Sequence, residues 1–368
     1  MDAFCVDVAP ACFHGVVDDD DDLRRESAVV GAGWLCFVIG TALGTLVLWG
    51  VARPLAGQGS VGIPAALVVG AVAAASFAVA SVRHRRGDTA GMPVWQAIVV
   101  RVSDAAVALA VAGVSALAVL CAGEVLAVGL DGLEVPPLGG GLLTGVAAAA
   151  AGGFAYGLGM RLRTRELVTL LFAFLVAGTL FSMLTAADPR WWERNFSQLG
   201  AGGATAWAFN GTLAVGGLLL ATVGSYVGRD LHRILGDDAL GRIGRVVVLF
   251  ALAGAALAAI GLLPLHRAPV AHNVAAFLLL ALLPVLAVDA TAVVPGPPRV
   301  LTLTTVGVGI ALVVAVLLWR PLAMYSAAAL EAVAVGLVFV WLTTLMRTLA
   351  ALAPDRPRPS ARPRLRAR

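Results

Sequence analysis

The feature that most constrains this chain is a series of long apolar runs. A helix rises about 1.5 Å per residue, so about 20 apolar residues cross about 30 Å of hydrocarbon. Ten such runs occur, at roughly 29–52, 62–82, 102–130, 138–159, 166–187, 204–227, 243–264, 271–290, 299–319 and 321–349, each boundary good to a few residues. A membrane β-barrel would alternate apolar and polar residues, whereas these runs are apolar on every side. Composition agrees: 60% of the 368 residues are hydrophobic and 13% are charged, against about 25% charged in a soluble domain. The expected fold is all-α, a polytopic transmembrane helix bundle of about ten spans.

Arginine sets the orientation. All 26 basic residues are arginine, which excludes a Schiff-base lysine and a phosphate-loop lysine. With ten spans both termini share a side. That side holds 21 arginines; the opposite side keeps Arg53, Arg190, Arg194, Arg267 and Arg320. The positive-inside rule then places both termini in the cytoplasm of a multi-pass cell-membrane protein. The same asymmetry explains the basic loops without nucleic-acid binding.

Four regions follow. Residues 1–28, with the acidic run Asp18 to Asp22, read as a disordered cytoplasmic tail that lacks the alternating ligands and glycine of a calcium loop. Residues 29–160 form a four-span unit, and 165–350 a six-span unit. Residues 351–368 are Pro/Arg-rich and read as a disordered cytoplasmic tail suited to anionic lipid headgroups. Cys5, Cys12, Cys36 and Cys121 have no CxxC partner, so free thiols are expected. Gly40 and Gly44, and the glycines of the fourth run from Gly139 to Gly157, mark close helix contacts.

Polar groups inside hydrocarbon cost energy and invite a functional reading. Glu331 lies ten residues into the last run, near the midplane. Asn210 sits inside the sixth run from the outer side, and His272 with Asn273 opens the eighth. Glu124 lies near the outer end of the third. The loop DPRWWERNFSQLGAGG, 188–203, is the longest polar stretch on the outer face; its Asn195, Ser197 and Gln198 adjoin the sixth run. Trp191 and Trp192 suit the interfacial belt. Asp104 and Asp289 lie near the inner surface and read as structural, beside Arg101 and Arg299. The candidate ligand-binding set is therefore Asn195, Ser197, Gln198, Asn210, His272, Asn273 and Glu331, gathered in a polar cavity open to the outside.

The order NFSQLG, AFNGTL, HNVAAF, LEAVAVGLVFVW resembles the domain-of-unknown-function family 998, itself similar to Frag/DRAM/Sfk-type membrane proteins. Asn195, Ser197, Leu199 and Gly200 match its first outer loop. Phe209 and Asn210 match an F-N pair opening the second span, His272 a later histidine, and Glu331 an acid in the last span. Position 332 is Ala where the family pattern has Arg. The resemblance spans roughly 165–350 and implies six spans, no established reaction and a connection with lipids.

The function expected from the sequence is an integral membrane protein, non-enzymatic, whose outer cavity binds a lipid or small molecule. Membrane lipids are the expected partners; no cofactor is called for. One alternative is an intramembrane lipid hydrolase using Glu331 and His272, but a zinc site needs about three ligands, and the His266–His272 spacing is not that of a helical ligand pair. Another is a proton-coupled transporter using Glu331. A serine hydrolase is set aside at this level, since Ser197 lies in no GxSxG elbow and the sequence identifies no histidine–acid partner.

Overall fold

A computed structural model describes residues 11–85 and 94–352 of the chain. Ten helices there are long and apolar enough to cross a membrane. They are α1 (Ala11–Val47), α2 (Gly62–Arg85), α3 (Val94–Gly129), α4 (Pro137–Met160), α5 (Thr164–Leu184), α6 (Ala206–Leu235), α7 (Leu240–Leu262), α8 (Pro269–Val293), α9 (Arg299–Trp319) and α10 (Ala327–Leu352). The strand content described is one two-residue ribbon, β1 (Arg53–Pro54) antiparallel to β2 (Glu134–Val135), with Arg53 opposite Val135.

Contacts between connectors show that the helices alternate in direction. The α1–α2 and α3–α4 connectors pair through the ribbon. The α5–α6 connector meets the start of α10, where the Ala328 N–H donates to the Arg194 carbonyl at 3.0 Å. This side is called the loop face here. At the opposite, tail face the Thr164 hydroxyl at the start of α5 donates to the Asp230 carboxylate near the end of α6. His232 bonds Asp237 there at 2.8 Å.

Two packing groups arise from the sequence. In the first, α4 lies against α1 and α2, and α3 packs on α2. Close approach requires missing side chains: a Cβ on Gly145 would sit 2.9 Å from the Phe37 carbonyl, and one on Gly40 would lie 3.2 Å from the Gly145 backbone. The glycine-rich fourth run is thus a seam for α1. In the second group α6 packs along α7 by the same device, since a Cβ on Gly254 would meet the Ala221 backbone nitrogen at 2.8 Å. Helix α3 joins the groups by packing on α5 and α6. The fully buried Leu286, Leu301, Leu342, Leu345 and Leu349 tie α8, α9 and α10 into the same core as Phe250 of α7. By contrast Leu303, Ile310, Val313 and Leu317 of α9 are exposed, as lipid-facing side chains are.

Several boundaries differ from the sequence reading, among them the start of α3 at Val94 rather than near 102. Helix α1 begins at Ala11 and runs through the acidic segment, so 11–28 is helical rather than disordered. Extending an existing helix adds a hydrogen bond per residue without a new nucleus. Helix α6 continues to Leu235, past the apolar run. It stops at Gly236, whose φ of +77° suits glycine and whose N–H reaches the His232 carbonyl at 2.8 Å. Helix α10 starts at Ala327, after a turn over 320–326. The tail expected over 351–368 keeps only its first two residues in α10; 353–368, like Cys5, lie outside the described residues.

Candidate loop-face site

The α5–α6 connector folds into two short 3-10 turns, Trp191–Glu193 and Phe196–Gly200. Its ends are tied together where the Thr205 hydroxyl donates to the Thr185 carbonyl at 3.0 Å. Flanking the first turn, Asp188 accepts from the Arg190 N–H and from the Arg194 guanidinium, both at 2.9 Å. Arg194 also donates to the Gln198 side-chain carbonyl at 3.1 Å. The Trp191 and Phe196 rings stack with centroids 5.4 Å apart. A polar connector entering an apolar region must satisfy its own donors and acceptors, and these bonds do so.

The second turn is held from three different helices. From α10, Glu331 Oε2 accepts the Phe196 N–H at 2.7 Å. From α8, His272 Nε2 lies 2.9 Å from Ser197 Oγ, while its Nδ1 lies 2.9 Å from the Leu263 carbonyl. From α6, Asn210 Nδ2 donates to the Gly200 carbonyl at 3.0 Å. A carbonyl only accepts, so the Leu263 contact puts the ring proton on Nδ1. In the neutral ring Nε2 is then the acceptor, and Ser197 is the donor. His272 is only 4% exposed, so this pair lies inside the protein rather than on its surface.

Asn210, His272 and Glu331 therefore do point to one place. They reach it as clamps on the Phe196–Gly200 turn, each engaged with a loop atom, instead of lining an open chamber. A separate cleft of about 240 Å³ opens beside the turn. Its lining includes Asp188, Trp191, Gln198, Leu199, Gly202 and Thr205. Of the seven candidate residues, Gln198 is the one that lines it. Asn195 accepts a long 3.4 Å bond from Gln198 through its side chain, and Ser197 is half-buried. Asn273 is exposed on α8, on a different side from His272. Glu124 is half-buried on α3. Near the tail face Asp289 pairs with Arg245 of α7, not with Arg299.

Several participants were invisible in the sequence. The Phe196 N–H and the Leu263 and Arg194 carbonyls are backbone groups, which every residue supplies equally. The Ser197–His272 contact joins positions 75 residues apart, with no local spacing to announce it. Among the described residues no group of three or more His, Cys, Asp or Glu side chains is placed to hold a metal ion, so the zinc-hydrolase alternative has no ligand set there.

The comparison with known families addresses this same half of the chain. Residues 170–348 match the family described as Protein of unknown function (DUF998). The match covers just under half of the chain. It takes in the clamped turn, its three holding side chains and parts of all six helices from α5 to α10. Neither a curated protein nor a solved structure matches the chain significantly.

Proposed function

We propose that the DUF998 region binds an amphiphile at the loop face, with the polar head in the cleft beside the Phe196–Gly200 turn and the apolar part among the flanking helices. In the orientation set by arginine, this is the outer leaflet of the cell membrane, with both termini in the cytoplasm. The observation that carries the reading is the clamp. Three polar side chains from within the spans, each costly in hydrocarbon, are engaged in fixing one turn, and that turn forms a wall of a cleft of mixed polar and apolar lining. Ala186, Ala187 and Leu199 offer apolar contact, while Asp188, Gln198 and Thr205 offer polar atoms. Trp192 and Trp207 are exposed nearby, as aromatic side chains at a headgroup boundary are.

Native mass spectrometry of the full chain extracted from membranes tests this reading. Gly202 lines the cleft and a Cβ there would meet nothing within 4 Å, so Gly202→Trp is expected to obstruct the cleft without a clash at its Cβ. A co-purifying amphiphile is expected on the wild type and on Asn273→Ala, and at least about tenfold less of it on Gly202→Trp, corresponding to about 1.4 kcal/mol. Equal retention by Gly202→Trp would refute the site.

A further inference from the structure

We propose that Ser197 is a nucleophile activated by His272, and that the amphiphile bound at the loop face is a carboxylic ester which this pair cleaves. This rests on the binding reading above and names the class of ligand. Four observations carry it. The Ser197 Oγ to His272 Nε2 distance is 2.9 Å, within the reach a general base needs. The Leu263 carbonyl on Nδ1 holds the ring in the tautomer that leaves Nε2 free to take a proton; it occupies the place that a carboxylate holds in a Ser-His-Asp triad. The turn bearing Ser197 is fixed one residue before it by Glu331 and three residues after it by Asn210, the pre-organisation that a positioned nucleophile requires. Finally, Ser197 is half-buried, next in sequence to the cleft-lining Gln198, while His272 is buried, so the serine keeps some exposed surface and the base is shielded from bulk water.

The steps balance with water as the co-reactant. Ser197 Oγ bonds to the ester carbonyl carbon as its proton passes to His272 Nε2. The carbon–oxygen bond to the alcohol then breaks, and the alcohol leaves with the proton from Nε2. Water attacks the acyl-serine, giving one proton through Nε2 back to Ser197 Oγ and releasing the acid. Glu331 and Asn210 are positioning residues in this scheme, since they act through the loop backbone.

The test uses the full chain in lipid nanodiscs, a fluorophosphonate probe and p-nitrophenyl butyrate. Site mapping should find the adduct on Ser197, and Ser197→Ala should lose both the adduct and p-nitrophenol release. His272→Gln should slow both at least about a hundredfold. A folded wild type without an adduct at Ser197, or a His272→Gln variant labelled as fast as wild type, would overturn the proposal. Should His272→Gln fail to fold, Ser197→Cys serves instead. Beside the ring its alkylation by iodoacetamide, measured above that of the parent chain, should stay fast down to about pH 6, because a paired thiol ionises below the usual value of about 8.5. Alkylation that falls off like an ordinary thiol would equally overturn it. The two readings fail differently: equal amphiphile retention by Gly202→Trp defeats binding, whereas a missing Ser197 adduct with retention intact defeats only the chemistry.

Discussion

The α1–α4 seam and the Phe196–Gly200 clamp solve the same problem, holding two segments together inside a membrane, by opposite means. At the seam Gly40 and Gly145 remove side chains so that backbones touch. At the clamp Glu331, His272 and Asn210 add polar atoms and reach for backbone groups. Lipid is as apolar as leucine, so neither contact gains from ordinary hydrophobic burial; one relies on van der Waals packing and the other on hydrogen bonds. A seam of small residues is intolerant of added volume but indifferent to chemistry. A clamp is the reverse. The comparison therefore separates residues that keep the bundle together from residues that fix the position of one turn.

Substitutions break that contrast in graded steps. Gly145→Leu forces a side chain into the Phe37 carbonyl and Thr41 and should cost about 3 kcal/mol or more through overpacking, read as a lower midpoint of thermal unfolding in detergent. Glu331→Ala should cost about 2 kcal/mol by leaving the Phe196 N–H without its acceptor. Its effect should be local, with faster hydrogen exchange across 195–200 and little change elsewhere; an equal rise in exchange over α1 and α4 would erase the distinction. Asn210→Leu leaves the Gly200 carbonyl without that donor and should cost about 1 kcal/mol, again with faster exchange confined to the turn. Asn273→Ala, at an exposed position, should stay within about 0.5 kcal/mol of wild type.

Much of this architecture is legible in the residues because bilayer thickness forces each span to about 20 apolar positions. All ten spans, and close helix contacts at Gly40 and Gly44, follow from that rule and from residue size, whereas the identity of α4 as the partner does not. Boundaries were less legible where polar residues continue a helix, as in the end of α6 through His232 and Arg233, since apolarity marks the membrane and not the helix. The acidic segment of α1 hid its helicity for the same reason. At the site, Asn210, His272 and Glu331 drew attention as polar atoms among apolar neighbours. Their partners did not: a carbonyl at Leu263 or an N–H at Phe196 looks like any other until the chain is folded. Ser197 is legible as a polar loop residue, but its contact with His272, 75 positions away on α8, has no local spacing to announce it.

The bond from the Ala328 N–H to the Arg194 carbonyl carries a mechanical corollary. It splices the opening turn of the final span onto the hydrophilic platform above it, beside the Glu331 anchor one turn deeper. Tilting is how a helix answers a thinner membrane, and a tilt of this one would tow the platform sideways. Stretching or compressing the surrounding lipid would then be felt at Ser197 before it was felt in the glycine-sealed quarter of the bundle.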